Sequence, residues 1–289
     1  MGLKDKIEAG KFTFLAEMEP PKGVDVSDML SNAKRVKDGI DAFVVPEMSN
    51  AVMRMSSLGG AMVLQNEGLP TIFQVCCRDR NRLAIQGDLL AASALGITNV
   101  MAVGGEDPSF GDHHQARSVF DIDLIELIRT IDRLNKGRDM AGIELAGAPD
   151  FFIGSTAEAG SQGKSTEIEM EELMKRTEAG TRFFITSPIF DLTLLEPYKK
   201  RIDFHKVAII PTVMLLKSLG MARYIVRNLP HIHIPETVID RIARAPDKVR
   251  ECVRIAGETV KELKSQGYSG VYLATLGWEH KLPEIIEGI

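Results

Sequence analysis

Cysteine is scarce in this chain: three residues in 289, Cys76, Cys77 and Cys252, with no Cys-x-x-Cys pair. An odd count gives no disulfide framework, and the missing paired spacing argues against a zinc or iron–sulfur site built within the chain. Long apolar runs are missing too. No segment reaches bilayer length, and the stretch from Met1 to Ile7 lacks the apolar core of a signal peptide. There is no block of Lys or Arg and the net charge is −5, which argues against nucleic acid as the main partner. No low-complexity linker or fixed-sequence repeat divides the chain. A cytoplasmic enzyme is the expected class. No Gly-x-Gly-x-x-Gly follows an apolar run, which counts against an open dinucleotide-binding sheet.

What is present is a regular alternation. Apolar runs of β character fall at residues 12–18, 42–45, 71–75, 99–103, 151–154, 182–186, 207–213 and 270–273. Helical patterns lie between them, at 26–38 (with Asp25 or Ser27 as cap), 53–65, 80–95, 123–135, 167–179, 192–204 and 222–228. Further helix signals between Pro235 and Gln266 precede the last strand. Strict strand–helix alternation implies a parallel sheet, and eight units at this length imply a closed (β/α)₈ TIM barrel of the α/β class, one domain over 1–289. Met53, Met55 and Met62 read as core filler. Cys76 and Cys77, adjacent on a strand, point to opposite faces, and at least one is an ordinary buried thiol.

In such a barrel, chemistry sits just after each strand. Strand one runs into Glu17-Met-Glu-Pro-Pro21, where the proline pair stops the ladder and leaves two acids at its end. A carboxyl there, among apolar neighbours, can hold a proton near neutral pH and donate it; the alternative is a pair of solvated acids. Strand four runs into Gly104-Gly-Glu-Asp-Pro108, whose glycines either let the backbone approach a flat or phosphorylated ligand or simply form a tight turn. Arg78, Arg80 and Arg82 with Asp79 read as an anion site or as a solvated ion-pair cluster. Lys175-Arg176 sits late in a helix, where cations complement the dipole or bind phosphate. Asp112-His113-His114 is a weak metal signal without helical spacing or further ligands.

These pieces, in order, resemble the methylenetetrahydrofolate reductase family. The matching segments are Glu17-Met-Glu-Pro-Pro-Lys22, Cys77-Arg-Asp-Arg-Asn-Arg82, Gly105-Glu-Asp-Pro108, Lys175-Arg-Thr-Glu-Ala-Gly180, Ile185-Thr-Ser-Pro-Ile-Phe-Asp191, Leu216-Lys-Ser-Leu-Gly-Met-Ala222 and Tyr272-Leu-Ala-Thr-Leu-Gly277. The chain is most similar to short prokaryotic members without a regulatory domain. The resemblance implies a flavoenzyme, with FAD or FMN, that reduces the methylene bridge of 5,10-methylenetetrahydrofolate to a methyl group, a step in methionine biosynthesis. It implies Glu17 as the general acid that opens the five-membered ring, and Glu106 as the anion beside flavin and pterin. It places Gln74, Gly104, Gly105, Glu106, Asp121, Thr156, Lys175 and Arg176 at flavin-contact positions.

The same resemblance places Ser187, Leu216 and Trp278 at substrate positions, where many members carry Gln, Phe and Arg. Electrons would come from NAD(P)H or from a protein donor, in some relatives a partner subunit, and a homo-oligomer is compatible with the fold. Two other readings compete: a flavin-free barrel lyase or aldolase using Glu17 and a Schiff-base lysine such as Lys217, and a non-catalytic subunit that binds a pterin.

Overall fold

A computed structural model describes residues 1–159, 166–204, 206–229 and 232–288. Eight strands follow one another around a closed barrel: β1 (Thr13–Glu17), β2 (Ala42–Val45), β3 (Thr71–Cys76), β4 (Asn99–Val103), β5 (Phe152–Ala157), β6 (Phe183–Pro188), β7 (Ala208–Met214) and β8 (Gly270–Ala274). Every pairing is parallel, and β8 returns to β1 to close the sheet. The expected (β/α)₈ fold is therefore present.

The helices are α1 (Leu3–Glu8), α2 (Ser27–Val36), α3 (Ser57–Asn66), α4 (Arg82–Ala94), α5 (Leu124–Asn135), α6 (Thr166–Ala179), α7 (Glu196–Arg201), α8 (Leu219–Asn228), α9 (Glu236–Arg244), α10 (Lys248–Ser265) and α11 (Leu282–Glu287). Their starts follow from side-chain caps. Asn81 accepts from the Leu83 and Ala84 amides at 3.1 Å, Asp123 from Glu126 at 2.7 Å and Asp247 from Arg250 at 3.0 Å. Helix α2 has no such cap: Asp25 accepts instead from the Ser27 amide and hydroxyl in a local turn.

Other expectations shift. Helix α1 was not anticipated; its Leu3 is buried with the residues that fill the barrel interior. Strands β5 and β6 run on to Ala157 and Pro188, through Ser and Thr that read as loop in the sequence. The 192–204 segment divides into a 3₁₀ turn, Leu192–Leu195, followed by α7. Met53 is exposed rather than core filler.

Side chains alternate across the strands as the pleat requires. Leu15, Val44, Ile72, Met101, Phe152, Phe183 and Ile210 fill the interior, while Ala16, Phe43, Phe73, Val100, Phe184 and Leu273 pack outward under the helices. The interior is tight around Phe183, whose ring stacks on Phe152 at 5.2 Å. Gly154 faces that ring, and a Cβ there would lie 2.2 Å from its Cζ. Gly154→Ala should therefore overpack the interior and lower stability by about 1–3 kcal/mol, seen as a lower urea midpoint with an unchanged slope.

Candidate active site

The alternation that fills the interior also aims side chains at the carboxyl-end mouth of the barrel. Glu17 continues the inward series of Leu15, Gln74 that of Ile72, and Thr156 that of Phe152 and Gly154. Glu17 is buried, Gln74 is half-buried and Thr156 is exposed at the mouth.

Glu17 is held by β8 and the turn after it. Its Oε1 accepts from the Leu276 amide at 2.9 Å, and its Oε2 lies 3.3 Å from the Tyr272 hydroxyl, which donates to it. Leu276 reaches that position in a left-handed conformation, φ 53°, followed by Gly277 at φ 84°. The Lys217 ammonium fixes the turn by donating to the Leu276 carbonyl, and lies over the Trp278 ring at 5.4 Å. Burial pushes the Glu17 carboxyl up to about 7; the Leu276 amide opposes this, the nearby acids Glu19 and Glu279 add to it, and Tyr272 opposes it. Glu279 is itself buried and accepts from the Gly277 amide at 3.1 Å.

Glu19 is not a solvated acid. It is half-buried, pairs with Arg54 at 2.8 Å, and burial raises its pKa against the pull of that guanidinium.

On the β3–β4 side, the two glycines differ. Gly105 has φ 91°, and a Cβ there would fall 2.3 Å from Cys76 Sγ and 2.8 Å from Arg78 Cβ, so this chain's own packing requires it. Gly104 faces open space. Cys76 donates its thiol to the Gly104 carbonyl at 3.3 Å, and burial pushes both Cys76 and Cys77 thiols up, to about 11 and about 12. Arg78 is fully buried, grips Asp79 through Nε at 2.6 Å and Nη2 at 2.8 Å, and donates to the Glu106 carbonyl at 3.4 Å. The Glu106 carboxylate lies 3.8 Å from the same guanidinium and is 57% exposed. The arginines are thus ion-paired, as one reading held, but Arg78 is buried rather than solvated. Arg80 meets Asp88 at 2.9 Å and Glu47 at 3.4 Å.

Glu47, just beyond β2, escaped the sequence reading. It is buried, accepts from the Ser57 amide at 3.1 Å, and its backbone amide donates to Gln74 Oε1 at 3.1 Å. Burial raises its pKa, with Arg80 opposing. The signal available was its position one residue past the strand-terminal Pro46.

Other residues of the expected set have neighbours within the chain. Arg176 is buried against Phe184 and donates to the Thr156 and Glu172 carbonyls and to Glu169. Lys175 is exposed and paired with Glu172 at 2.8 Å, in a groove of about 550 Å³ between α5 and α6, outside the barrel. The Asp121 carboxylate caps and pairs with Arg82 at 2.9 Å. The Ser187 hydroxyl donates to the Ala159 carbonyl at 2.9 Å and accepts from its amide at 3.0 Å, because a bulge after Ile185 turns it toward the β5–α6 loop. Leu216 is buried beside Phe190, Met214 and Cys252, under α10. Asp112 is a tie between loops: it pairs with Lys22 and accepts from the Met53 amide, with His113 at 2.8 Å. Among the described residues, no group of three or more His, Cys, Asp or Glu could hold a metal, and no helix is long and apolar enough to cross a membrane.

The architecture has solved counterparts. An uncharacterized protein from Clostridium thermocellum, described as binding two copies of 5-methyl-5,6,7,8-tetrahydrofolic acid, superposes with a TM-score of 0.69 at 14% identity, covering 99% of this chain and 97% of its own. A 2,3-dimethylmalate lyase of the PEP mutase/isocitrate lyase superfamily gives 0.57 at 11%, covering 99% and 84%. At these identities the likeness is one of fold. In sequence, the chain is 24% identical to methylenetetrahydrofolate reductase 2 of Schizosaccharomyces pombe over 85% of its length, and 24% identical to a probable methylenetetrahydrofolate reductase (NADPH) of Caenorhabditis elegans over 96%. It spans about two fifths of those relatives, 39% and 42%. A family model described as methylenetetrahydrofolate reductase matches residues 2–289, and the chain belongs to that family.

Proposed function

We propose that the protein reduces the methylene bridge of 5,10-methylenetetrahydrofolate, or of a related methylene-tetrahydropterin, to a methyl group with a bound flavin, and that Glu17 is its general acid. The observation that carries this reading is the carboxyl itself: at the end of the first strand, turned into the mouth, buried, and held near a pKa of 7. General acids work best when their pKa lies near the working pH. The Clostridium thermocellum neighbour binds a 5-methyl tetrahydropterin on the same fold, which supports the substrate class.

A flavin ring suits the β3–β5 side of the mouth. Gly104 leaves open space where a side chain would stand, and Thr156 is exposed. The Gln74 amide nitrogen meets only Met101 Sδ, at 3.7 Å, among the described residues and so keeps donor capacity. Lys175 offers a cation to the anionic tail of FAD or FMN. When bound, the flavin supplies the hydride, replenished from NAD(P)H or a protein donor.

The chain's own residues handle the proton. Glu17 retains it at neutral pH and gives it to the ring nitrogen that leaves when the five-membered ring opens. The iminium cation formed on the substrate then benefits from fixed anions at the mouth, and Glu106, steadied by Arg78, is one. The Leu276 amide holds the carboxylate left behind. The lyase reading is less supported: a Schiff base needs a free amine, and Lys217 is engaged by the Leu276 carbonyl and the Trp278 ring.

Purified protein should be yellow, bleach anaerobically with dithionite, and regain colour on addition of methylene-tetrahydrofolate. Glu17→Gln should keep the first two properties and recolour about 10²–10⁴-fold more slowly. Protein that accepts neither FAD nor FMN, or a variant that recolours normally, overturns the reading.

Retention of the proton also has a stability signature. Folded Glu17 titrates near 7 against 4.5 for an ordinary glutamate, so the folded state binds the extra proton between these values. The resulting stabilisation is fully present below pH 4.5 and is lost as the pH rises through 7. Relative to wild type, Glu17→Gln should therefore gain about 3 kcal/mol between pH 4 and pH 8, measured by urea unfolding at both.

A further inference from the structure

The two oxygens of the Glu17 carboxyl are not equivalent. Oε1 faces the Leu276 amide at 2.9 Å, and an amide N–H can only donate. The direction of that N–H is fixed, because the carbonyl of the same peptide, that of Thr275, accepts from the Trp278 amide at 3.1 Å and Leu276 is held in its left-handed conformation. Oε1 is therefore an acceptor in both protonation states, and the acid proton resides on Oε2. The neighbour of Oε2 is the Tyr272 hydroxyl at 3.3 Å. Tyr272 is buried in the barrel interior, one layer below the mouth, and among the described residues its hydroxyl has no other hydrogen-bond partner.

We infer that Glu17 Oε2 is the atom that delivers the proton, and that Tyr272 is a positioning residue whose hydroxyl, donating to Oε2 from inside the barrel, turns the acid proton outward to the mouth. This inference rests on the assignment of Glu17 as the acid. When the proton leaves, the Oε2–H bond breaks and a bond from hydrogen to the leaving ring nitrogen forms. Negative charge then develops on Oε2, and the Tyr272 hydrogen bond becomes charge-assisted and stronger, while Tyr272 keeps its own proton. An interaction that strengthens as charge develops lowers the barrier rather than tightening substrate binding.

The other groups around the carboxyl are fixed in number. Glu19 faces it from the end of its own strand, and Glu279 from the loop after β8. Arg54 and Lys217 face Glu19 from the β2–α3 and β7–α8 loops. None of these changes when the hydroxyl of Tyr272 is removed, so Tyr272→Phe isolates its effect.

The test reads the proton directly. Infrared difference spectra assign the Glu17 carbonyl band by its loss in Glu17→Gln, and the band is titrated in flavin-loaded protein. In Tyr272→Phe the band should shift and its midpoint should move up by about half to one pH unit. Recolouring of the reduced flavin by methylene-tetrahydrofolate should slow about 10-fold below that midpoint, with KM within twofold of wild type. Fluorotyrosine incorporated at Tyr272, a stronger donor of nearly the same shape, should move the midpoint down; this arm stands even if the Phe variant does not fold. Band and midpoint unchanged in both variants overturn the role of Tyr272 and leave Glu17 as the acid. A wild-type spectrum with no band that Glu17→Gln removes overturns the acid assignment, and this inference with it.

Discussion

The pairing of β8 with β1 is the contact on which the mouth depends. Its register sets Leu15 opposite Tyr272 and Ala16 opposite Leu273. The next residue of β1, Glu17, therefore emerges beside the last turn of the chain, and partners 255 and 259 positions away in sequence meet one carboxyl. A slip of one residue would turn Glu17 outward under the helices and bring Met18 into the mouth, because side chains alternate with a period of two. Leu15 and Tyr272 inside, with Ala16 and Leu273 outside, make that slip costly. Closure and chemistry are thus fixed by the same set of apolar contacts.

Ion pairs and hydrogen bonds tie the loops above the barrel to one another. Arg78 is buried yet keeps two bonds to Asp79 and one to the Glu106 carbonyl. Breaking such a pair leaves a buried charge alone, which costs far more than the pair contributes over an apolar substitute. Asp112 does similar work across three loops, and its hydrogen bonds to Lys22, the Met53 amide and His113 hold its carboxyl well below the usual range. Close approach adds to this: a Cβ on Gly111 would lie 1.8 Å from the Ala51 carbonyl oxygen. Positive φ at Met48, Asn50 and Ala51 gathers in the same β2–α3 loop, so backbone strain is concentrated at the mouth.

How much of this was legible in sequence follows from what each feature depends on. Strand order and closure rest on local periodicity and chain length, and both were readable. The acids at the end of β1 were readable because Pro20 and Pro21 mark the strand exit, and the choice of Glu17 between them came from the family resemblance. The surroundings of Arg176 and Leu216 were not readable, because they are set by tertiary packing, here by Phe184 beneath the guanidinium and α10 beside Leu216. The orientation of Ser187 was not readable, because the register shift after Ile185 is not encoded in the local sequence pattern. Helix α1 is six residues long, too short for its periodicity to stand out. Glu47 was hidden behind Pro46, which reads as the start of an ordinary loop.

The balance at Glu17 explains why the carboxyl is held by a few donors rather than by none or many. A fully buried carboxyl without partners is pushed up by as much as 3–5 units, which would make it too weak an acid to protonate an amine nitrogen at neutral pH. A carboxylate receiving two or three amide donors is pulled well below the usual carboxylate range and carries no proton to give. Here burial is opposed by one amide and one distant hydroxyl, and the net position is about 7. The two neighbouring acids push upward, and Arg54 pairs with one of them, Glu19. Leu276 supplies that amide from a left-handed backbone conformation, so local strain and the hydrogen bond that opposes burial sit at the same residue.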